Sequence, residues 1–295
     1  MRLGYHVSVA GGLVKAAQRA EQIGCESLQI FARSARGWAS RQYPEREVET
    51  FRAALRARDL APLVIHSNYL VNLASANRTL REKSLRAVAD DLQRAALLGA
   101  EFVVTHSGHA VGEDTATGLT RLAQSVRRLL REAPEGVRFL LENSAGGERQ
   151  VGGRWEHFAH LLDLVDGDPR LGVCFDTCHA HAAGYPLDTP RRVGEAIRTF
   201  SGMLGLDRLA MIHLNDSKGA AGARRDRHEH LGEGTIGDAG LRAMLRRREL
   251  QDRCAIMETP IHAPDDDLRN MRHARELRGT ASPRRLKGRR GAQRR

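Results

Sequence analysis

Six times along this chain a short apolar run stops abruptly on a histidine or a carboxylate. Pro62-Leu63-Val64-Ile65 ends in His66, Glu101-Phe102-Val103-Val104-Thr105 in His106, and Arg138-Phe139-Leu140-Leu141 in Glu142. Leu171-Gly172-Val173-Cys174-Phe175 ends in Asp176, Leu209-Ala210-Met211-Ile212 in His213, and Cys254-Ala255-Ile256-Met257 in Glu258. Unbroken Val/Ile/Leu runs mark strands covered on both faces, as parallel strands are, and parallel strands need long, usually helical, crossovers. Two more strands are predicted near the start, at Leu3–Val9 and Ser27–Phe31, with Ala10-Gly11-Gly12 turning the first into a helix that runs to about Ile23.

Helical spacing fills the intervals. Leu85, Val88, Leu92 and Ala95 or Ala96 share one face; Leu119, Leu122, Val126 and Leu129 share another, in a helix starting near Thr115. Phe158, Leu161, Leu162 and Val165 mark a further helix, and one is predicted near Val193–Phe200 after the Gly184-Tyr185-Pro186 break. Leu241, Met244 and Leu245, then Leu268, Met271 and Leu277, outline the last two. Eight alternations with short connections predict the α/β class, as a single (β/α)8 TIM barrel closed on itself.

Composition agrees with one such domain. The chain has 295 residues, 41% of them hydrophobic, and barrels of this kind need about 250. No apolar stretch approaches the roughly 20 residues of a membrane span, and no signal peptide is evident, so a cytoplasmic protein without membrane contact is expected. Cys25, Cys174, Cys178 and Cys254 lack paired short spacings and are read as packing residues, neither zinc ligands nor disulfides. The net charge of +11 is uneven. Eight of the 47 basic residues lie in 278–295, leaving 39 against 36 acidic residues in the remainder. The domain is therefore placed at 1–277, followed by a basic, disordered tail that would hold polyanions loosely.

In such barrels functional residues lie at the C-terminal ends of the strands, and isolated ionisable groups there would be costly to bury. Six strand-ending donors meeting at one mouth would bring like carboxylates together, which repel unless cations or protons intervene. Histidine and carboxylate without thiolate suit zinc or manganese, imidazole favouring zinc. His179, in the loop after Asp176, and Asp226 and His228, on a long flexible loop, bring the donors to nine, enough for three sites with three ligands or more. Three divalent ions against the carboxylates of Glu142, Asp176, Asp226 and Glu258 leave a positive pocket suited to a phosphate group. Tyr69 and Leu70 form a bulky pair in a loop at the mouth, either a wedge for base steps or a lid over the core. The Ala32–Trp38 loop, with Arg33 and Arg36, is either a DNA contact or a cap with Trp38 half buried.

Gly172-Val173-Cys174-Phe175-Asp176-Thr177-Cys178-His179-Ala180, His213-Leu214-Asn215-Asp216, and Asp226-Arg227-His228 followed by Leu231-Gly232-Glu233-Gly234 resemble the endonuclease IV family, the zinc-dependent apurinic/apyrimidinic endonucleases. The resemblance runs from Gly4-Tyr5-His6-Val7-Ser8 to Glu258-Thr259 and leaves out the tail. It implies three zinc ions per chain, with manganese an option at one site. His66, His106 and Glu142 would hold the first; Glu142 would bridge to a second on Asp176, His213 and Glu258; His179, Asp226 and His228 would hold the third. Glu142 and Glu258 are the catalytic carboxylates on this reading. The implied reaction is hydrolysis of the phosphodiester 5′ to an abasic site in duplex DNA by a zinc-bound hydroxide, leaving a 3′-hydroxyl and a 5′-deoxyribose phosphate. Arg36, Tyr69 and Leu70 match the family's minor-groove insertion residues. A monomer associated with the nucleoid through DNA is expected.

Ser107 stands where some family members have proline, and His109 and His230 are extra imidazoles near the proposed site. The alternative from another class is a xylose isomerase-like sugar isomerase or epimerase, which would need one or two metals and would have no use for Tyr69, Leu70 or the Asp226/His228 pair. A DNA-damage binding protein without turnover is a third reading.

Overall fold

Apolar runs flanked by amphipathic segments give eight parallel strands that close into a barrel in the computed structural model, which describes residues 1–279. In chain order the elements are β1 (Arg2–His6), α1 (Leu13–Ile23), β2 (Ser27–Phe31), α2 (Glu45–Ala57), β3 (Leu63–His66), α3 (Arg78–Leu98), β4 (Phe102–His106), α4 (Thr115–Glu132), β5 (Arg138–Glu142) and α5 (Trp155–Leu164). They continue with β6 (Leu171–Asp176), α6 (Thr177–Ala183), α7 (Pro190–Leu204), β7 (Leu209–His213), β8 (Asp216–Ser217), β9 (His228–Glu229), α8 (Gly237–Arg246), β10 (Cys254–Met257) and α9 (Asp266–Arg278). The barrel order is β1-β10-β7-β6-β5-β4-β3-β2, and the short antiparallel pair β8–β9 stands apart from it.

Side chains in a strand alternate between faces, so residues two apart share one. Two positions before the six strand-ending donors lie Val64, Val104, Leu140, Cys174, Met211 and Ile256, each completely buried and all in one apolar cluster. They plug the barrel interior directly beneath the donors. Alternate strand positions, among them Leu3, Tyr5, Leu28, Ile30, Ile65 and Val103, belong to a second, larger core on the helix side. Gly4 serves the inner packing, because a Cβ there would meet the Ser27 oxygens and Ile256 Cδ1 within 2.6 Å.

Three local expectations are corrected. His179 lies in a helix instead of a loop, since the Asp176 carboxylate accepts the His179 N–H and caps α6. The Asp226-Arg227-His228 segment is not a free loop. His228 belongs to β9, paired with β8, and Asp216 on β8 accepts hydrogen bonds from the N–H groups of Ser217, Gly232, Gly234, Ile236 and Gly237. Arg278, grouped with the tail by charge, is the last residue of α9 and pairs with Glu26 and the Met1 carbonyl. The tail beyond Gly279 lies outside the described residues. No helix among the described residues is long and apolar enough to cross a membrane.

Candidate metal centre

The nine donors, drawn from positions 66 to 258, converge at the C-terminal mouth of the barrel. They fall into three groups, the first two sharing Glu142, with the ligand atoms of each group within 4.8 Å of one another: His66, His106 and Glu142; Glu142, Asp176, His213 and Glu258; and His179, Asp226 and His228. Glu142 belongs to two groups because its oxygens face opposite ways. Its Oε2 lies 3.2 Å from His66 Nε2 and 3.4 Å from His106 Nε2, and its Oε1 lies 3.1 Å from His213 Nδ1 and 3.2 Å from His179 Nδ1.

Each of four imidazoles has one nitrogen tied down and the other facing the carboxylates. His66 Nδ1 donates to the Ser67 carbonyl (2.6 Å), His179 Nδ1 to the Asn143 carbonyl (2.9 Å) and His228 Nδ1 to the Glu258 carbonyl (3.1 Å). His213 is reversed: its Nε2 donates to Gln29 Oε1 at 2.9 Å, leaving Nδ1 for the cluster. A hydrogen bond on one ring nitrogen fixes the tautomer and presents the other as a lone pair, the arrangement metal-binding histidines use.

This donor set fits divalent cations. The Nε2 atoms of His179 and His228 are buried and make no hydrogen bond, although Asp226 Oδ1 lies only 3.2 and 3.3 Å away. Two imidazole nitrogens and a carboxylate oxygen that close on a common point without bonding to each other match a shared cation. The charges are strained accordingly. Burial opposes ionisation of Glu142, yet His213 and His106 hold its carboxyl well below the usual range. Asp226 is drawn down to about 2 by His179 and His228 against the effect of burial. For Asp176 burial wins over the nearby histidines and the carboxyl is pushed up.

Asparagines that sequence patterning does not single out tie the strand ends together. Asn143 accepts the Asp176 N–H through Oδ1, and Asn215 donates to Asp176 Oδ2 at 2.7 Å while accepting the Glu258 N–H. His6 and Gln29 are likewise absent from the sequence-derived donors, and both touch Glu258. His6 carries the same signal as the other donors, an apolar run ending in histidine, which shows only once the first strand is ended at His6 and not at Val9. Ser107, noted for what it replaces, donates its hydroxyl to the Glu142 carbonyl at 2.9 Å. His109 is exposed, and His230 is buried against Asn270; neither joins a donor group. All four cysteines are free and buried. The Cys178 sulfur comes within 4.8 Å of donor atoms of Asp176 and His228, but burial pushes its thiol up to about 12, consistent with a packing role.

The rim residues also assemble. The Tyr69 N–H donates to the Ala35 carbonyl and Asn68 Nδ2 to the Gly37 carbonyl, lacing the loops that carry Tyr69, Leu70 and Arg36. Tyr69 and Leu70 are exposed, and the Tyr69 ring lies 6.5 Å from that of His66. Trp38 is half buried against the core, and Arg33 points away from the mouth into α3, bonded to Asp91.

A closed parallel barrel whose mouth gathers histidines and carboxylates from six strands defines a protein of the TIM-barrel class with candidate metal-binding clusters at its strand ends. Residues 17–278 match the family described as xylose isomerase-like TIM barrel. A probable endonuclease 4 of Halothermothrix orenii is 39% identical over 88% of this chain and 94% of its own length. The crystal structure of endonuclease IV from Thermus thermophilus superposes with a TM-score of 0.84 at 41% identity, covering 94% of this chain and 98% of that one. The chain belongs to the endonuclease IV family. A 3-keto-D-glucoside 4-epimerase from E. coli also superposes, with a TM-score of 0.70 over 94% of this chain and 99% of that one, but at 15% identity it shares the fold alone.

Proposed function

We propose that this nuclease hydrolyses the phosphodiester 5′ to abasic sites in duplex DNA, using three zinc ions and leaving a 3′-hydroxyl and a 5′-deoxyribose phosphate. The observation that carries the reading is the sorting of nine donors into three groups, two of which share Glu142. His66, His106 and Glu142 would hold one ion, Glu142, Asp176, His213 and Glu258 a second, and His179, Asp226 and His228 the third; manganese could replace zinc at one of them. When bound, such ions polarise the phosphate and lower the pKa of water.

The chain's own groups do the rest. Glu142 and Glu258, the catalytic carboxylates, lie in the floor of the mouth, where Glu142 would belong to both of the first two ions and Glu258 to the second. Asp226, half exposed on its hairpin, lets the third group meet the phosphate from solvent. Arg36, Tyr69 and Leu70 stand on the rim, where an apolar wedge and a cation would unstack the duplex beside the lesion. An abasic nucleotide offers little stacking to resist extrusion, so discrimination comes partly from the substrate. The sugar isomerase reading retains only the shared barrel and leaves the rim wedge and the third group without a task. A monomer acting on nucleoid DNA completes the proposal.

The test is metal content together with incision of a duplex carrying one tetrahydrofuran abasic analogue, before and after prolonged chelation. About three zinc ions per chain and cutting 5′ to the lesion that chelation abolishes are expected. One ion per chain with sugar turnover and no cutting would replace this reading with the isomerase.

A further inference from the structure

We propose that Gln29 is a positioning residue that fixes which nitrogen His213 offers to the second metal and aims the Glu258 carboxylate at the same ion. The inference rests on the trinuclear reading above and concerns a residue on β2, a strand that supplies none of the nine donors.

Three of the four tethered histidines are held by main-chain carbonyls, which no substitution at the accepting residue removes. His213 is the exception, tied to a side-chain amide. Gln29 is completely buried, and all its polar atoms are engaged. Its Oε1 accepts from His213 Nε2 at 2.9 Å; its Nε2 donates to Glu258 Oε1 at 2.6 Å and faces His6 Nδ1 at 2.9 Å. Only one orientation of the amide works. Turned over, it would set its oxygen against the Glu258 carboxylate and its N–H groups against the His213 N–H.

Both contacts therefore act on the second group at once. With the proton kept on His213 Nε2, the Nδ1 lone pair faces Glu142 Oε1 at 3.1 Å and Glu258 Oε2 at 3.3 Å. With Glu258 Oε1 held by the amide, Oε2 is the oxygen left for the ion. A glutamate at this position would still accept from His213 but would repel Glu258, whereas leucine would fill similar space and make neither contact.

The experiment compares wild type, Gln29→Leu and Gln29→Glu, each loaded with zinc and dialysed against graded chelator. Bound zinc is measured by mass spectrometry, and the histidine tautomers by long-range 15N NMR. In wild type His213 is expected as the Nε2–H tautomer. In Gln29→Leu one of the three ions should be released at about 10–100-fold lower chelator strength than in wild type, with the other two unmoved, and His213 should lose its single tautomer. Gln29→Glu should keep the tautomer yet still bind that ion more weakly. This variant decides the matter if the leucine protein does not fold. Three ions retained in the variants at wild-type chelator strength would overturn the role of Gln29 and leave the trinuclear reading intact. A wild type that takes up no zinc would overturn both.

Discussion

Arg33 shows how far a residue's neighbours decide its use. On a loop rich in arginine and tryptophan it reads as a surface cation, but its Nε meets Asp91 Oδ1 at 2.9 Å and its Nη2 the Ala87 carbonyl at 2.9 Å, anchoring the Arg36 loop on α3. Burial pushes the Asp91 carboxyl up to about 6 despite Arg33. Because the folded pKa lies above the unfolded one, this residue's contribution is full below about pH 4 and is lost as pH rises through about 6. Asp91→Asn cannot titrate. Its stability relative to wild type, measured by urea denaturation, should therefore improve by about 2–3 kcal/mol between about pH 4 and pH 7; no change across that range would show that Asp91 titrates normally. Seven of the nine donors are legible at this scale because each ends an apolar run or follows one closely, whereas Asp226 and His228 stand on a polar loop and enter only as further candidates. Gln29, Asn143 and Asn215 are not legible, since an amide in or beside a strand has no pattern of its own and gains its role only from what lies across the barrel.

At the level of elements, the segment after β7 is the least readable, because two-residue strands leave no periodicity. Asp216 organises it, with five main-chain N–H groups converging on one carboxylate. Asp216→Asn would set an amide donor against some of those donors, and the fold should lose about 2–3 kcal/mol. The hairpin bearing Asp226 and His228 should loosen with it, so zinc titration is expected to show the third ion weakened; full retention of that ion would separate the staple from the site. The laced rim loops make a parallel prediction. Tyr69→Ala combined with Leu70→Ala should reduce the preference for abasic over intact duplex in a binding competition while zinc content stays at the wild-type level. Undiminished preference would assign the pair to covering the core.

The whole molecule sets the donors and the end of α9 at opposite ends. Strands carry the donors to one mouth, and α9 runs back along the barrel to finish at Arg278 beside Met1 and Glu26. Seven basic residues follow Gly279. A chain ending at Gly279 keeps the Arg278 contacts and isolates the effect of those seven. If their charges meet DNA phosphates, the salt dependence of duplex binding should become shallower in the shortened protein, by about one unit of slope for each phosphate no longer neutralised. An identical slope would leave the tail without a part in binding.

By itself the sequence determined the eight barrel strands, their parallel class, and that each terminal donor lies at a strand end, because a period of two and the end of an apolar run are local properties. The grouping of the donors and the bridging place of Glu142 came only through the family resemblance; tertiary structure alone brought those donors within reach of one another and showed that Gln29 and the asparagines bond to them. Those relations exist only once the barrel closes, since residues nearly two hundred positions apart have no spacing in sequence that encodes their distance in space.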